Sequence, residues 1–353
     1  MTTTPSLTRP PLVPTLTAHD ATDLLALAPV VLGFWPEHSI VMFTLGARRP
    51  FHARLDLPPL AEQTAATRRL VDNRLLAPAR RHDARRVVLL YYDDHRPAAA
   101  SIHSTLRIGC RRAGIGIAAA LHVDGETYSD LEAPERAMRL RRTPYDVTGH
   151  PFVRDAIATG RLAHQTRDDL VASVARDPEA AQAVSAALLA GGHLDRGIPV
   201  TGRAVRAAGE WVSALVQRLL AEARADPVPL ADPELARLVW VMQSLTVRDA
   251  AWALITASSA PAHVAVWRDV VRRAPDELAP APAVLLGWAA WQAGDGALAW
   301  AAVDRARCAD PHYRLAHYLA MLLENAVSPD VWTPEFDWAA GLPAASGPPD
   351  LPP

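Results

Sequence analysis

The sequence predicts an α/β domain followed by an all-α domain, and three observations indicate this order. Residues 39–57 contain two short β-forming runs joined by a turn, and residues 87–92 form an apolar run typical of a buried strand. Beyond about residue 150 only helical patterns remain. The 353 residues are half hydrophobic and 21% charged, which gives length for two domains and apolar side chains for packed cores.

Each element of the first domain follows from a local pattern. Thr17 and Asp20 form a capping-box-like pair that predicts the first helix, and Gly33 is expected to end it. Two prolines, Pro58 and Pro59, are expected to open a second helix that runs to about residue 77. The other predicted elements are a hairpin over 39–57, a strand over 87–92, a helix over 98–113, a strand over 115–123 and, after the Asp124-Gly125 turn, a strand over 126–131. Strand–helix–strand units in this order predict a mixed, mostly parallel sheet flanked by helices.

The second domain is predicted as a helical bundle. Its amphipathic stretches cover residues 201–225, 232–257, 262–274, 281–293, 296–309 and 312–325. The expected organisation is therefore a flexible N-terminal tail over 1–16, an α/β domain over 17–145, a helical domain over 146–326 and a Pro-rich C-terminal tail over 327–353. Three aromatic residues of that last tail, Trp332, Phe336 and Trp338, are expected to dock on the helical domain.

The last helical stretches carry a pattern similar to one tetratricopeptide unit. The matching residues are Leu286, Gly287, Gly294, Ala299, Ala306 and Pro311. Small residues let two helices approach closely, and the proline ends the second helix. Two interpretations stay open, namely simple core packing within a larger bundle and a surface that binds a peptide or helix of a protein partner.

Composition excludes several classes of protein. All 36 basic residues are arginine, so there is no lysine to hold pyridoxal phosphate or to serve a Walker A motif or a kinase. The two cysteines, Cys110 and Cys308, are too far apart in sequence for a CxxC zinc site or a disulfide framework. No cofactor is predicted. A net charge of −2 disfavours a nucleic-acid partner, and the densest basic run, Arg136 to Arg142, is interpreted as a solvated helix face balanced by glutamates. Neither a membrane-spanning run nor an apolar leader is visible, which predicts a cytoplasmic protein without a membrane partner.

The most distinctive string is Gly33-Phe-Trp-Pro-Glu-His-Ser-Ile-Val41, between the first helix and the first strand. In one interpretation Glu37, His38 and Ser39 line a ligand pocket with Trp35 as a stacking wall. In the other, the string is a helix-to-strand turn in which aromatic residues pack and Gly and Pro supply the geometry. It lacks the G-x-S-x-G elbow, so it does not predict a serine nucleophile.

A second set of candidates follows from topology, because ligands of open α/β sheets bind beyond the carboxyl ends of strands. Asp56 lies near the end of one predicted strand, and Asp93, Asp94 and His95 follow another. Their oxygen and imidazole groups suit a polar ligand or a divalent cation, although no set with a recognised metal-ligand spacing is present. The alternative is that these are ordinary loop aspartates.

Two distant strings resemble the domain-of-unknown-function family 4192. The first comprises Leu27-Ala28-Pro29, Leu32-Gly33-Phe34, Pro36, Ser39 and Val41, followed by Arg54 and Asp56-Leu57-Pro58. The second runs from Leu286-Gly287 and Gly294-Asp-Gly-Ala297 to Asp310-Pro311 and Tyr313-Arg-Leu315. The resemblance spans roughly residues 17–326. It implies a bacterial protein and assigns no activity and no catalytic residue.

Two functions are considered from these observations. The first is a binding or scaffold protein with a polar-ligand pocket in the α/β domain and a docking surface on the C-terminal helices. The alternative is a metal-assisted hydrolase that uses Asp56, Asp93, Asp94 and His95 at the strand ends. Convergence of those side chains within metal-ligand distance would favour the enzyme.

Overall fold

The computed structural model describes residues 18–222, 229–332 and 336–343, which fold into two compact units. The α/β unit contains residues 18–170 together with Met321–Ser328. The helical unit contains Val171–Ala320 and the described part of residues 329–343. The predicted tail over 1–16 lies outside the described residues, as do Thr17 and residues 333–335 and 344–353 of the predicted C-terminal tail.

The α/β unit alternates strands and helices over its first hundred residues. Its elements are α1 (Ala21–Leu32), β1 (Ser39–Leu45), β2 (His52–Asp56), α2 (Ala65–Arg81), β3 (Arg86–Tyr92), α3 (Arg96–Ala113), β4 (Gly116–Val123), β5 (Thr127–Asp130), α4 (Arg136–Leu140), β6 (Thr143–Pro144), α5 (Pro151–Ala158) and the start of α6 (Arg167–Ala172). Strands β1 to β5 lie where the sequence patterns predicted them.

Six strands of the described chain form one mixed sheet in the order β2-β1-β3-β4-β5-β6. The expectation that this sheet is mostly parallel was wrong, because only the β3–β4 pair is parallel among its five pairings. Strand β1 lies between β2 and β3 and is antiparallel to both, so β2 and β3, which run in the same direction, are not neighbours in the sheet. The short turn after β4 makes β4 and β5 antiparallel neighbours, and β6 pairs antiparallel with β5 after α4.

One face of the sheet packs against α2 and α3. Strand residues such as Ile40, Met42 and Leu89 meet Leu76 and Ile102 of the two helices in one apolar cluster, and all five are fully buried. Tyr91, also fully buried in this cluster, satisfies its hydroxyl through the ring of His103 at 3.1 Å. A polar group in this core is therefore hydrogen-bonded, as burial demands.

The first residues of α1 and α2 differ from those that the sequence patterns suggested. Asp20 is the N-cap of α1, since its side chain accepts a hydrogen bond from the backbone N–H of Asp23. The predicted start of the second helix at Pro58 and Pro59 was wrong. A short 3-10 helix follows these prolines, and α2 begins only after Thr64, whose hydroxyl oxygen caps it. A proline fits a first helical turn, but the Thr64 side chain satisfies the exposed N–H groups and so fixes the start.

The helical unit contains nine helices beyond residue 177 within the described chain. These are α7 (Pro178–Ala190), α8 (His193–Arg196), α9 (Gly202–Glu222), α10 (Asp232–Val241), α11 (Leu245–Trp252), α12 (Ala260–Arg273), α13 (Pro280–Gln292), α14 (Gly296–Ala309) and α15 (Arg314–Glu324), of which the last four residues belong to the α/β unit. The stretch over 232–257 is two helices rather than one. None of the described helices has the length and apolar character needed to cross a membrane.

Helix α13 is the core of the helical unit, with every residue buried. It is followed by α14 after a short turn in which Gly294 has φ of +81°, a conformation that favours glycine. Gly294 therefore serves the turn, whereas Gly287 lies at the packed side of α13, opposite Ala299, Ala302 and Leu319. The two helices form a close-packed pair at the center of the unit.

The aromatic residues near the C-terminus dock on the helical unit, as predicted. The ring of Trp332 stacks on Trp252 with centroids 5.0 Å apart and meets Trp288 edge-on at 4.9 Å. Phe336 packs on Trp252 at 5.1 Å, and the ring of Trp338 covers Gly209. These contacts attach the described part of residues 329–343 to the bundle.

Candidate functional site

The chemically distinctive side chains of the α/β unit gather where β2, β3 and β4 end and β1 begins. Ser39, the first residue of β1, lies opposite Asp56 of β2 and opposite Tyr92 of β3. The residues that follow β3 are therefore neighbours of those that precede β1. We call this the carboxyl edge, and it comprises Glu37, His38, Ser39, Asp56, Asp93, Asp94 and His95.

The central contact of the carboxyl edge joins His38 to Asp93. The Nδ1 atom of His38 lies 3.0 Å from Oδ2 of Asp93. The side chain of Asp93 is only 14% exposed, whereas that of His38 is 74% exposed. The imidazole is thus held through Nδ1 by a nearly buried carboxylate. Such a pair orients the ring and stabilises its protonated form.

Asp93 is fixed on several sides. Its backbone N–H donates to the carbonyl of Val123 at 3.0 Å, and its carbonyl accepts a hydrogen bond from Nε2 of His122 at 2.7 Å. Its Oδ1 atom accepts from the backbone N–H of His95 at 2.7 Å. Burial lowers the pKa of His122, which favours the neutral ring that makes this bond. Asp93 is therefore a preorganised hydrogen-bond partner for His38.

Three carboxylates act on the His38 ring. The hydrogen bond with Asp93 is the main cause that raises the pKa of His38, and the charges of Asp93, Asp94 and Glu37 act in the same direction against partial burial. His38 also has φ of +43°, a region that residues other than glycine seldom occupy. Its carbonyl nevertheless accepts from the N–H of Leu57 at 2.8 Å, which ties this conformation to the end of β2. The ring is accordingly exposed in a locally negative environment.

A second polar group surrounds Ser39, which is fully buried. Its hydroxyl donates to the carbonyl of Glu37 and accepts from Nε of Arg54 at 2.9 Å. The Arg54 guanidinium pairs with Asp56 at 2.6 Å and lies over the ring of Phe34 at 6.0 Å. Burial lowers the pKa of Arg54, and Asp56 opposes this effect. Ser39 is therefore committed to structure, and Asp56 is part of this group rather than of the His38–Asp93 pair.

The structure brings together only some of the predicted candidates. Glu37, Asp94 and His95 are exposed at the carboxyl edge, and His95 contributes its backbone N–H. Trp35 is half-buried and donates its backbone N–H to the carbonyl of Gln165 at 3.2 Å, so its position is that of a packed turn residue. The 33–41 string is therefore a packed helix-to-strand turn that also exposes the ring of His38, and its role in a ligand pocket stays a prediction.

The strand-end carboxylates form no metal-ligand set. Across the described parts of the chain, no three His, Cys, Asp or Glu side chains are arranged to hold a metal ion. Asp124 is occupied by its own turn, since it accepts from the N–H and hydroxyl of Thr127 and pairs with Arg142. The chemistry that the edge offers is hydrogen bonding and charge.

Sequence reasoning missed three residues of this region. Arg54 was not singled out as a site residue within the predicted hairpin, but its side chain is only 16% exposed and bonds Ser39. His122 was hidden inside a strand pattern, and its role appears only from the parallel β3–β4 pairing. Tyr92 has a buried hydroxyl with no hydrogen-bond partner among the described residues. The short apolar run 87–92 gave no signal of this polar atom.

Comparisons with known proteins identify a family for this chain. Residues 22–330 match a family described as "Domain of unknown function (DUF4192)". Neither curated proteins nor solved structures gave a significant match. The family match covers far more than half of the chain, including both units. The chain therefore belongs to the DUF4192 family.

Proposed function

We propose that the α/β unit binds a small polar ligand at the carboxyl edge, and that the ligand carries ammonium and hydroxyl groups. The observation that carries this proposal is the His38–Asp93 pair, with Nδ1 held at 3.0 Å and the ring largely exposed. Because Nδ1 is occupied, Nε2 is the ring atom offered to a ligand. A fixed ring with one free nitrogen is a specific hydrogen-bonding group rather than a mobile surface histidine.

The charge around His38 favours the stated class of ligand. Glu37 and Asp94 are exposed carboxylates whose charges reach the ring, and Asp93 lies beneath it. An anionic ligand would meet three carboxylates and at most one imidazolium. A protonated amine gains from the carboxylates, and a hydroxyl group can bond either to them or to Nε2. Binding of this class needs no cofactor.

The hydrolase alternative has less support. It requires carboxylates and a histidine within metal-ligand distance, and no such group of three exists in the part of the chain that the structure describes. A docking surface on the α13–α14 hairpin also has less support, because α13 is buried over its whole length. The proposal is therefore limited to small-molecule binding by the α/β unit.

Nuclear magnetic resonance of the full chain with 13C-labelled histidine tests the proposal. The chain has 13 histidines, and the His38 signal is identified by its loss in His38→Gln. Titration with ethanolamine, which has one ammonium and one hydroxyl group, is expected to shift the His38 signal saturably. Acetate at the same concentration is expected to leave it unchanged.

Two aspartate variants separate local binding from general charge. Asp94→Asn is expected to weaken the ethanolamine response at least threefold. Asp155→Asn removes the same charge from an exposed position on α5 and is expected to leave it unchanged. An equal response to acetate, or no saturable shift with ethanolamine, would show that the carboxyl edge does not bind this class of ligand.

A further inference from the structure

The opposite end of the same sheet collects exposed arginines from four separate segments. We call this the arginine end. Every member is exposed, and the members are Arg48 and Arg49 in the β1–β2 turn, Arg80 and Arg81 at the end of α2, Arg85 and Arg86 at the start of β3, and Arg107, Arg111 and Arg112 near the end of α3. These nine residues lie up to 64 positions apart in the sequence.

The topology explains why they meet. Strand β1 ends where β3 and β4 begin, and α2 and α3 each end just before those strands. The N–H of Arg48 donates to the carbonyl of His82 at 3.0 Å, which joins the β1–β2 turn to the end of α2. The N–H of Arg85 donates to Leu45 at 3.1 Å, and the carbonyl of Arg85 accepts from Gly116 at 2.9 Å. The four segments therefore share one end of the unit.

Few acidic groups balance this charge. Asp83 pairs with Arg48 at 2.7 Å, and Glu324 pairs with the neighbouring Arg74 at 2.6 Å. The half-buried carboxyl of Asp72 has a pKa that burial raises, while the charges of Arg80 and Arg112 act to lower it. Both arginines thus lie within electrostatic reach of one carboxyl group. Within the described residues, seven members form no ion pair: Arg80, Arg81, Arg85, Arg86, Arg107, Arg111 and Arg112. Of these, Arg81 donates to the neutral side-chain oxygen of Asn325.

Helix stabilisation accounts for only part of the cluster. Arg80, Arg81, Arg111 and Arg112 occupy the last turns of α2 and α3, where cations favour the helix dipole. The arginines of the β1–β2 turn and of the start of β3 have no such role. Gathering like charges at one end is unfavourable without a counter-charge. The chain as a whole has a net charge of −2, so this local excess is a property of the fold and not of the composition.

We propose that the arginine end binds the phosphate backbone of a nucleic-acid duplex. Guanidinium groups match phosphate oxygens with paired hydrogen bonds, and they stay charged at any physiological pH. Packed helices lie about 8–10 Å apart and paired strands about 4.8 Å apart, so arginines on these elements can reach several phosphates at once. A single small anion would use only two or three of them.

The surroundings of the arginines favour a duplex over a single strand. Single-stranded nucleic acids bind to aromatic side chains on which the bases stack. The aromatic residue of the β1–β2 turn, Phe51, is half-buried and packs edge-on against His82 at 5.5 Å. Helices α2 and α3 end at this surface, so neither presents a side face that could lie along a groove. Contacts to the backbone without base recognition follow from this arrangement.

Fluorescence anisotropy of the full chain with a labelled 24-base-pair DNA duplex, and with an RNA duplex of the same length, tests this proposal. Binding is expected at 50 mM NaCl and should weaken steeply with salt, with a slope of log K against log salt of about −0.9 for each phosphate contact. The Arg85→Gln/Arg86→Gln variant is expected to bind at least tenfold more weakly at 50 mM NaCl and to reduce the slope by about 2. Arg111→Gln/Arg112→Gln is a second variant with the same expected result.

The control variant removes the same charge elsewhere in the α/β unit. Arg136 and Arg154 are exposed and form no ion pair within the described residues, so Arg136→Gln/Arg154→Gln is expected to bind as the unaltered chain does. Absence of binding to both duplexes at 50 mM NaCl would overturn the proposal. Equal weakening by the control would do the same. Tighter binding of poly-glutamate than of either duplex would instead assign the surface to an acidic protein partner.

Discussion

The imidazole of His38 and the carboxylate of Asp93 lie 3.0 Å apart, although 55 positions separate them in the sequence. The contact arises because β1 pairs directly with β3, which places the residue before one strand beside the residue after the other. We predict that the pKa of His38 lies above its ordinary value of about 6.5. In Asp93→Asn the hydrogen bond weakens and the charge is lost, so the pKa should fall. Histidine NMR measures both values.

The raised pKa of His38 determines how this pair changes the stability of the fold with pH. A raised pKa in the folded chain means that the pair stabilises the fold fully below the unfolded value and loses this effect as pH rises through the folded value. The contribution is small because the ring is largely exposed. A His38 pKa that is the same in Asp93→Asn and in the unaltered chain would show that the contact does not form in solution.

We predict that His263 lowers the free energy of unfolding as the pH falls. Trp267 donates to its Nδ1 at 3.2 Å, so its Nε2 carries the proton and donates to the carbonyl of Leu254 at 3.1 Å. The ring is fully buried, and burial lowers its pKa to about 4. The unfolded chain takes up a proton near pH 6.5 and the folded chain does not, so stability is lost as pH falls from 6.5 to 4, by about 3 kcal/mol.

Urea unfolding at several pH values checks this. His263→Gln is less stable than the unaltered chain at pH 7, but the difference in unfolding free energy should narrow as pH falls to 4. His312→Gln, at an exposed position, should follow the unaltered chain at every pH. A constant difference between the unaltered chain and His263→Gln would show that His263 is not held neutral.

Leu89 is predicted to be a major contributor to the sheet core. It is fully buried in β3 between Met42 of β1 and Ala120 of β4. Leu89→Ala should lower the free energy of unfolding by about 2–5 kcal/mol, through lost burial and the cavity that remains. Leu45→Ala, at the partly exposed end of β1, is the control and should cost about 1 kcal/mol or less. Equal losses in both variants would argue against a central position for β3.

Gly287 is predicted to be required by helix packing. A Cβ atom there would lie 2.9 Å from Leu319 Cδ2 and 3.3 Å from the carbonyl oxygen of Ala299. The contact with backbone offsets the gain of about 1 kcal/mol that alanine normally gives inside a helix, so Gly287→Ala should melt at or below the unaltered chain. Gly287→Leu should lose about 1–3 kcal/mol or more through overpacking. Gly296→Ala is the control, because a Cβ there meets open space.

Local patterns predicted the strands and most helices, because apolar periodicity and turn residues act within a few positions. The pairing order did not follow from them. Ser39 and Tyr92 show why, since only long-range packing places β1 between β2 and β3. The start of α2 was also missed, because the capping oxygen of Thr64 outweighed the signal from two prolines. The relative direction of the strands and the first residue of α2 therefore depend on contacts that the local patterns do not show. Those patterns predicted only whether a segment is a helix or a strand.

The carboxyl edge was partly predictable and the arginine end was not. The strand-end argument located Asp93 and the distinctive 33–41 string located His38, but neither pattern showed that the two side chains touch. The net charge of the whole chain did not reveal the arginine end, because the arginines of this cluster come from four separate segments of the sequence. The densest basic run in the sequence, Arg136 to Arg142, is not part of the arginine end. In the structure Arg139 donates to the carbonyl of Ala133, and Arg142 pairs with Asp124.

Native mass spectrometry of the full chain decides whether the carboxyl edge is a polar-ligand site. The samples are the unaltered chain, His38→Gln and Asp93→Asn, each with ethanolamine or, separately, with Mg²⁺, Mn²⁺ or Zn²⁺. We expect one ethanolamine per unaltered chain, at least tenfold weaker uptake in both variants, and no metal ion whose retention depends on Asp93. Equal ethanolamine uptake by all three chains, or one metal ion per chain that is lost in Asp93→Asn, would contradict the proposed function.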